Sequence, residues 1–111
     1  MAIRGDDVAV HNTAAVAASA VVKASAGTVY GVTVLNSNAA ARYFQFYNLA
    51  AVPADAVVPF MSLLVPIGAS LQIDFGIYGV AFSTGICWAN SSTAAAKTIG
   101  SADSLVTVLY S

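Results

Sequence analysis

The chain carries little charge for its size. Only 8% of its 111 residues are Asp, Glu, Lys or Arg, whereas 59% are hydrophobic. A globule of this mass exposes about 5,700 Å², so the charges are spread at roughly one per 630 Å². A domain of average composition has about one per 200 Å². This scarcity predicts either a membrane-embedded chain or a surface that meets other protein.

A long apolar run is missing as well. A membrane-spanning helix needs about 20 consecutive apolar residues, but the most apolar stretch, residues 57–89, is interrupted repeatedly by proline and glycine. Near the N-terminus, Asp6 and Asp7 follow Arg4, and an acidic pair is the wrong flank for a signal peptide. We therefore expect a soluble, unprocessed chain that is made in the cytosol and has no membrane partner.

Cysteine and histidine each occur once. The single Cys87 excludes an intrachain disulfide and a multi-cysteine metal site, and its apolar neighbours predict a buried structural thiol. Any Ser-His-Asp triad would need His11, which lies in a segment that we expect to be a polar arm. Two adjacent carboxylates, Asp6 and Asp7, offer too few oxygen ligands for calcium. We predict no catalytic residue, no cofactor and no metal site.

The basic residues are few and scattered along the chain. They are Arg4, Lys23, Arg42 and Lys97, and the sequence pI is about 5.4. Phosphate binding needs clustered Lys and Arg. Nucleic acid is therefore not expected as a partner.

From residue 21 onward the apolar pattern has a period of two, and turn residues recur about every ten positions. This pattern predicts an all-β fold, an antiparallel β-sandwich of jelly-roll-like type with seven to eight short strands. The predicted strands cover residues 21–24, 28–35, 42–49, 60–65, 70–75, 85–90 and 105–110. Residues 1–20 lack aromatic residues and a steady period, so we expect an N-terminal arm there, followed by a sandwich domain over 21–111.

Within the strand predicted at residues 42–49, residues 43–47 are apolar on both faces, which indicates burial on both sides. One side can face the core, and in so small a chain we expect the other to face a neighbouring subunit. Tyrosine and tryptophan are enriched at interfaces, although they can equally rim the sandwich core. Our candidate interface residues are Tyr43, Gln45, Tyr47, Trp88, Tyr110, Arg4 and His11.

Four segments resemble a family of short bacteriophage proteins found in tailed-phage genomes as small virion proteins. The segments are 22–31 (VKASAGTVYG), 41–48 (ARYFQFYN), 52–55 (VPAD) and 75–86 (FGIYGVAFSTGI). The resemblance covers about residues 21–110, and the last segment is the most distinctive. It contains no catalytic motif, so it implies a context and not a reaction.

What the resemblance implies is a virion structural component. The leading hypothesis is a decoration (cement) protein on the capsid surface, bound to itself as a trimer or dimer and to the major capsid protein or another virion protein. The alternative is a small head- or tail-fibre subunit, or a receptor- or carbohydrate-binding module of the virion. Because no acid–base pair is found in the sequence, an enzyme is not expected.

Overall fold

The computed structural model describes residues 8–111, and these form strands, turns and loops with no helix. Nine strands are present: β1 (Ala9–Asn12), β2 (Ser19–Lys23), β3 (Gly27–Asn36), β4 (Arg42–Tyr47), β5 (Met61–Val65), β6 (Ser70–Asp74), β7 (Val80–Phe82), β8 (Ile86–Ser91) and β9 (Ser104–Tyr110). Every pairing between them is antiparallel. Within residues 8–111 no helix is long and apolar enough to cross a membrane.

The strands form two sheets that pack face to face. Sheet A has the order β1-β9-β3-β6, with β7 extending the same side of β3 as β6, and sheet B has the order β2-β8-β4-β5. With β7 set aside, this is the strand order of a jelly roll, an eight-stranded double sheet of two Greek keys. The predicted all-β antiparallel sandwich is therefore confirmed.

All seven strands predicted from the sequence are present, and two more, β1 and β7, were not predicted. The arm predicted over residues 1–20 is wrong for its described part, because β1 pairs with β9 and β2 begins at Ser19 and pairs with β8. The sandwich thus starts well before residue 21. A four-residue strand is too short to show a period in the sequence. Arg4 and the rest of residues 1–7 lie outside the described residues.

The core is built around aromatic side chains of β4 and β8. Phe44 stacks on Trp88 with ring centroids 5.5 Å apart, and Phe46 contacts Phe44 and Phe82 edge-on at 4.8 and 5.6 Å. Buried valines of β3 and β9 face these rings from sheet A. Offset and edge-to-face aromatic pairs add about 0.5–1.5 kcal/mol each beyond the area they bury.

A bulge in β3 changes which residues of that strand face inward. The pairing with β9 shifts between Val29 and Gly31, so Val29 lies opposite Tyr110 and Gly31 opposite Leu109. Strict alternation would put Val29 on the same face as Thr33, but Val29 is buried and Thr33 is exposed. A bulge inserts one residue and reverses the alternation beyond it.

Buried asparagines tie the loops at one end of the sandwich. Asn36 Nδ2 donates to the carbonyl oxygens of Ala40, Val65 and Pro66 at 3.0–3.2 Å. Asn90 Nδ2 donates to the Ser101 carbonyl at 2.7 Å. Because buried backbone acceptors need partners, these side chains fix where β3, β5 and β8 end.

Candidate interaction surfaces

The centre of the outward face of sheet B is covered by the chain's own loops, whereas Leu64 and Val21 at its edges are 52% and 41% exposed. Gln45 points away from the core, yet its side chain is fully buried. Its Nε2 donates to Ser62 Oγ at 3.2 Å and to the carbonyl oxygens of residues 93–95 at 3.0–3.4 Å. The loop that follows β8 therefore lies across the centre of this face. We call this side of sheet B the covered face.

A second small cluster lies beneath the loop that follows β4. Tyr47, Cys87 and Ala89 are buried together against Val52 and Val57. The Tyr47 hydroxyl donates to Gln45 Oε1. Burial, followed by the nearby Cys87 and Asp55, raises the pKa of Tyr47 to about 12, so its hydroxyl stays protonated and remains a donor.

The two loops that cover this face, the one after β4 and the one after β8, are bonded to each other. Lys97 Nζ donates to Asp55 Oδ1 at 2.8 Å, and the Lys97 side chain is only 5% exposed. The Lys97 backbone also forms two hydrogen bonds of 2.8 Å with the loop that follows β4: its carbonyl oxygen accepts from Ala56 N, and its N–H donates to the Val57 carbonyl oxygen. The hydrogen bond from Lys97 lowers the pKa of Asp55, and a bond from Ile99 N lowers it further. Asp55 thus links its own loop to the loop that follows β8.

These contacts overturn part of the predicted interface. Gln45, Tyr47 and Trp88 are at most 1% exposed in the single chain, so the prediction that they meet a partner is wrong. Burial of β4 on both sides was read correctly from its apolar pattern. The cover is the protein's own loops, which sequence periodicity does not reveal.

The other predicted interface residues differ in position. Tyr43 is half-buried on the outward side of sheet B, opposite Ser91 and Leu64. Tyr110 packs against the core from the end of β9. His11 is half-buried on β1, and its Nε2 accepts a hydrogen bond from Trp88 Nε1 at 3.4 Å. Of the predicted interface residues, the six within residues 8–111 therefore do not meet at one exposed surface, and Arg4 lies outside the described residues.

The outward face of sheet A, which we call the open face, has no such cover from residues 8–111. Its central row runs across four strands at one level, because Asn12 pairs with Thr107, Thr107 with Thr33, and Thr33 with Gln72. The rows on either side hold Val10, Leu109, Gly31 and Asp74, and Leu105, Leu35 and Ser70. Asp74 is the one charged side chain in these three rows, so most of the open face is uncharged.

Gly31 makes a shallow hollow in the open face. The hollow has a volume of about 250 Å³, and its lining includes Thr33, Gln72, Asp74 and Thr107. A Cβ atom at Gly31 would lie 3.2 Å from the Ile73 carbonyl oxygen. Hydroxyl, amide and carboxylate groups therefore surround a gap that a larger residue would fill.

Apolar side chains are exposed beside the open face and on the loops. Val10, at a corner of the open face, is 62% exposed. Val58 and Phe60, 75% and 50% exposed, flank a hollow of about 300 Å³ on the loop between β4 and β5. Tyr78, at the turn between β6 and β7, is 84% exposed. Apolar exposure is thus spread over several surfaces of the fold.

The open-face residues were missed as a group, although part of the signal was visible. The alternation in residues 70–75 correctly predicts that Gln72 and Asp74 point outward. Nothing in the sequence shows that β9 and β3 lie beside β6 and place Thr107 and Thr33 in the same row. The aromatic residues drew attention to β4, whose outward side is covered.

Comparisons with protein-family models, with curated proteins and with solved structures find no match to this chain. Within residues 8–111 no group of three or more His, Cys, Asp or Glu side chains is placed to hold a metal ion.

Proposed function

We propose that the chain is a non-enzymatic structural protein of a tailed-phage virion. Specifically, we propose a decoration protein that is made in the host cytoplasm and lies on the outer surface of the capsid. There it binds shell protein and other copies of itself. The resemblance of residues 21–110 to small phage virion proteins supports this context. Jelly rolls also occur in viral capsid domains, which is compatible with the proposal.

The observation that carries the proposal is the difference between the two outward faces. The covered face is closed by two loops joined through Lys97 and Asp55. The open face presents a nearly uncharged surface with valine and leucine at its edges. A face without charge loses little hydration on burial, so it suits contact with protein.

Many copies on a shell can act together even when each contact is modest. Apolar burial contributes about 25 cal/mol per Å² before the costs of association are subtracted. A stable pairwise interface buries about 800 Å² on each partner. When neighbouring copies also touch one another, their contacts add through multivalency, so a small subunit can stabilise capsomer boundaries without chemistry.

The first test locates the protein. Antibody against the purified chain is applied to purified virions of the phage that encodes it, and the particles are imaged in negative stain. Label spread over the capsid shell supports decoration, and label confined to fibres supports the alternative described below. A chain absent from virions by both imaging and mass spectrometry contradicts both proposals.

The second test addresses the open face. We expect Thr33→Glu to weaken binding to capsids that have been stripped of the protein, because it places a charge at the centre of the uncharged rows. Ser92→Glu is the matched control, since Ser92 is exposed on a loop of the covered side. Equal binding by the two variants, with both folded by circular dichroism, would remove the open face from the proposal. Sedimentation of the free chain as a stable monomer would remove the homo-oligomer.

The hollow at Gly31 favours a second function, a carbohydrate- or receptor-binding module on a fibre. Threonine, glutamine and aspartate side chains can exchange hydrogen bonds with sugar hydroxyl groups. Exposed Trp88 or Tyr47 would have supported this alternative, but both are buried. Titration of the labelled protein with a sugar panel, followed by the methyl signals of Thr33 and Leu109, tests it. Signals that do not move with any sugar would exclude this use of the hollow.

A further inference from the structure

The only histidine and the only tryptophan of the chain contact each other inside the sandwich. Trp88 on β8 of sheet B is fully buried, and its indole N–H points to Nε2 of His11 on β1 of sheet A at 3.4 Å. An indole nitrogen can only donate, so His11 Nε2 must carry a lone pair. The bond therefore requires the neutral imidazole with its proton on Nδ1.

The strand that carries His11 is short and lies at the edge of a sheet. β1 is four residues long and lies at the edge of sheet A, where β9 is its one partner strand among residues 8–111. Just beyond it, Thr13 exchanges two hydrogen bonds of 3.0 Å with the Val106 backbone. Ala17 and Ser104 then exchange two backbone bonds of 2.9 and 3.0 Å. These later contacts can hold the chain in place while β1 opens, as short edge strands commonly do.

We propose that His11 is an acid-operated latch, which holds β1 in sheet A while its imidazole is neutral and releases β1 when the imidazole is protonated. Protonation puts a hydrogen on Nε2, so two donors face each other and the Trp88 N–H loses its acceptor. It also places a positive charge at the inner side of β1. Opening moves the imidazolium into water and leaves the edge of β9 unpaired.

Among residues 8–111, the strands around His11 carry no carboxylate that would stabilise its charge. Among the described residues, β1 has no other titratable side chain. The strands around it carry Tyr110 on β9, Cys87 on β8 and Lys23 on β2, and none of these is a carboxylate. Cys87 also points to the covered face, opposite to Trp88. Burial lowers the pKa of His11 from its ordinary value of 6.5, in agreement with a site that favours the neutral ring.

The sign of the pH dependence follows from this lowered pKa. The closed form binds its proton less tightly than the open form, so the latch is fully effective above about pH 6.5, the ordinary histidine value. Closure weakens as the pH falls below that value, and the loss is complete below the pKa of the closed form. Acid therefore opens β1, and return to neutral pH closes it.

The wild-type protein itself provides the test, because each reporter is unique. Tag-free, ¹⁵N-labelled protein is titrated by NMR from about pH 8 to pH 5 while the His11 ring nitrogens and the Trp88 indole N–H are followed. We expect one shared midpoint below 6.5. Thr13 N donates to Val106 O, and alternate residues of an antiparallel strand share that direction, so the Ala9 and His11 amides face β9. We also expect amide exchange in Ala9 and His11, corrected for intrinsic rates, to accelerate about ten-fold on the acid side, as loss of one hydrogen bond implies. An indole signal that ignores the His11 titration, or unchanged exchange in β1, overturns the latch.

A non-titrating variant provides the control. In His11→Gln the amide oxygen can still accept from Trp88, so β1 should stay closed across the same range and the acid response should disappear. Asn12→Ser, which changes the outward neighbour of His11, should keep the response. The sequence pI is about 5.4, so light scattering is recorded at every pH to exclude aggregation. An acid response that persists in His11→Gln shows that another group opens the strand and overturns the proposal.

Discussion

Replacing Gln45 by leucine is the most direct test of the covered face. Gln45 is fully buried, donates to the loop at residues 93–95 and accepts from the Tyr47 hydroxyl. Leucine has a similar size, so the change removes hydrogen bonds with little change in volume. It leaves the buried Tyr47 hydroxyl without its acceptor, which costs about 1–3 kcal/mol, and it removes the contact with the loop, which is worth about 1 kcal/mol. We expect Gln45→Leu to lower the free energy of unfolding by about 2–4 kcal/mol.

A double-mutant cycle separates these two contributions. Tyr47→Phe removes the hydroxyl and leaves Gln45 Oε1 without a donor, at a cost of about 1–2 kcal/mol. In the double variant neither orphaned group remains. Its cost should therefore fall short of the sum of the single costs by about 1–2 kcal/mol, as coupled neighbours do.

The assay is urea denaturation followed by the fluorescence of Trp88, with thermal melting as a second measure. For a chain of 111 residues, an unfolding entropy of about 2.1 cal/mol/K per residue converts 1 kcal/mol into about 4 °C. If Gln45 were a surface residue awaiting a partner, its replacement would leave the stability of the single chain unchanged. A loss below about 0.5 kcal/mol, or strict additivity of the two substitutions, would refute our account of the covered face.

Three further changes test other parts of the fold. Gly79→Ala should lower the free energy of unfolding in chemical denaturation by about 2–4 kcal/mol, because φ is +66° and a Cβ would lie 2.6 Å from the Val29 carbonyl oxygen. Gly68→Ala is the control: φ is +63° but the space is open, so the loss should be only about 1 kcal/mol. Equal losses in the two variants would refute the steric argument. Burial raises the pKa of Cys87 to about 11, so a thiol reagent at pH 8 should label it only in denaturant, and rapid labelling of folded protein would show that the loops do not cover it. The hydrogen bond from Lys97 lowers the pKa of Asp55, so this pair stabilises the fold above the ordinary aspartate pKa near 4. The stabilisation is lost as the pH falls through the pKa of Asp55 in the folded protein. Asp55→Asn should flatten that part of the curve of stability against pH, and an unchanged curve would contradict the pairing.

The alternation of apolar and polar residues predicted side-chain orientation correctly in a strand that has one solvent-exposed face. In β6, Leu71 and Ile73 alternate with Gln72 and Asp74, and the structure places the first pair toward the core and the second outward. In β3 the same reasoning failed at Val29, because the bulge before Gly31 depends on how β9 pairs with it. A bulge is decided by two strands together, and one strand's sequence does not contain it.

The candidate site was harder to predict than the fold. The double-sided burial of β4 could be read from residues 42–47, but the material that covers its outward side comes from residues about 10 and 50 positions further along the chain. The single histidine and the single tryptophan are 77 positions apart, and only the packing of β1 against sheet B joins them. Neither contact has a sequence signature, because each depends on how distant loops and strands close upon one another.

By itself the sequence determined that this chain folds as an antiparallel β-sandwich, rich in apolar residues and poor in charged ones. Alternation with a period of two, punctuated by glycine, proline and asparagine, is a local property of consecutive residues, and it is sufficient for that conclusion. Only the tertiary structure decided that the chain's own loops cover the outward side of β4 and that the outward face of sheet A remains open. That choice depends on the free energy of loops laid across sheet B and on the register among four strands of sheet A, both of which exist only once the chain is folded.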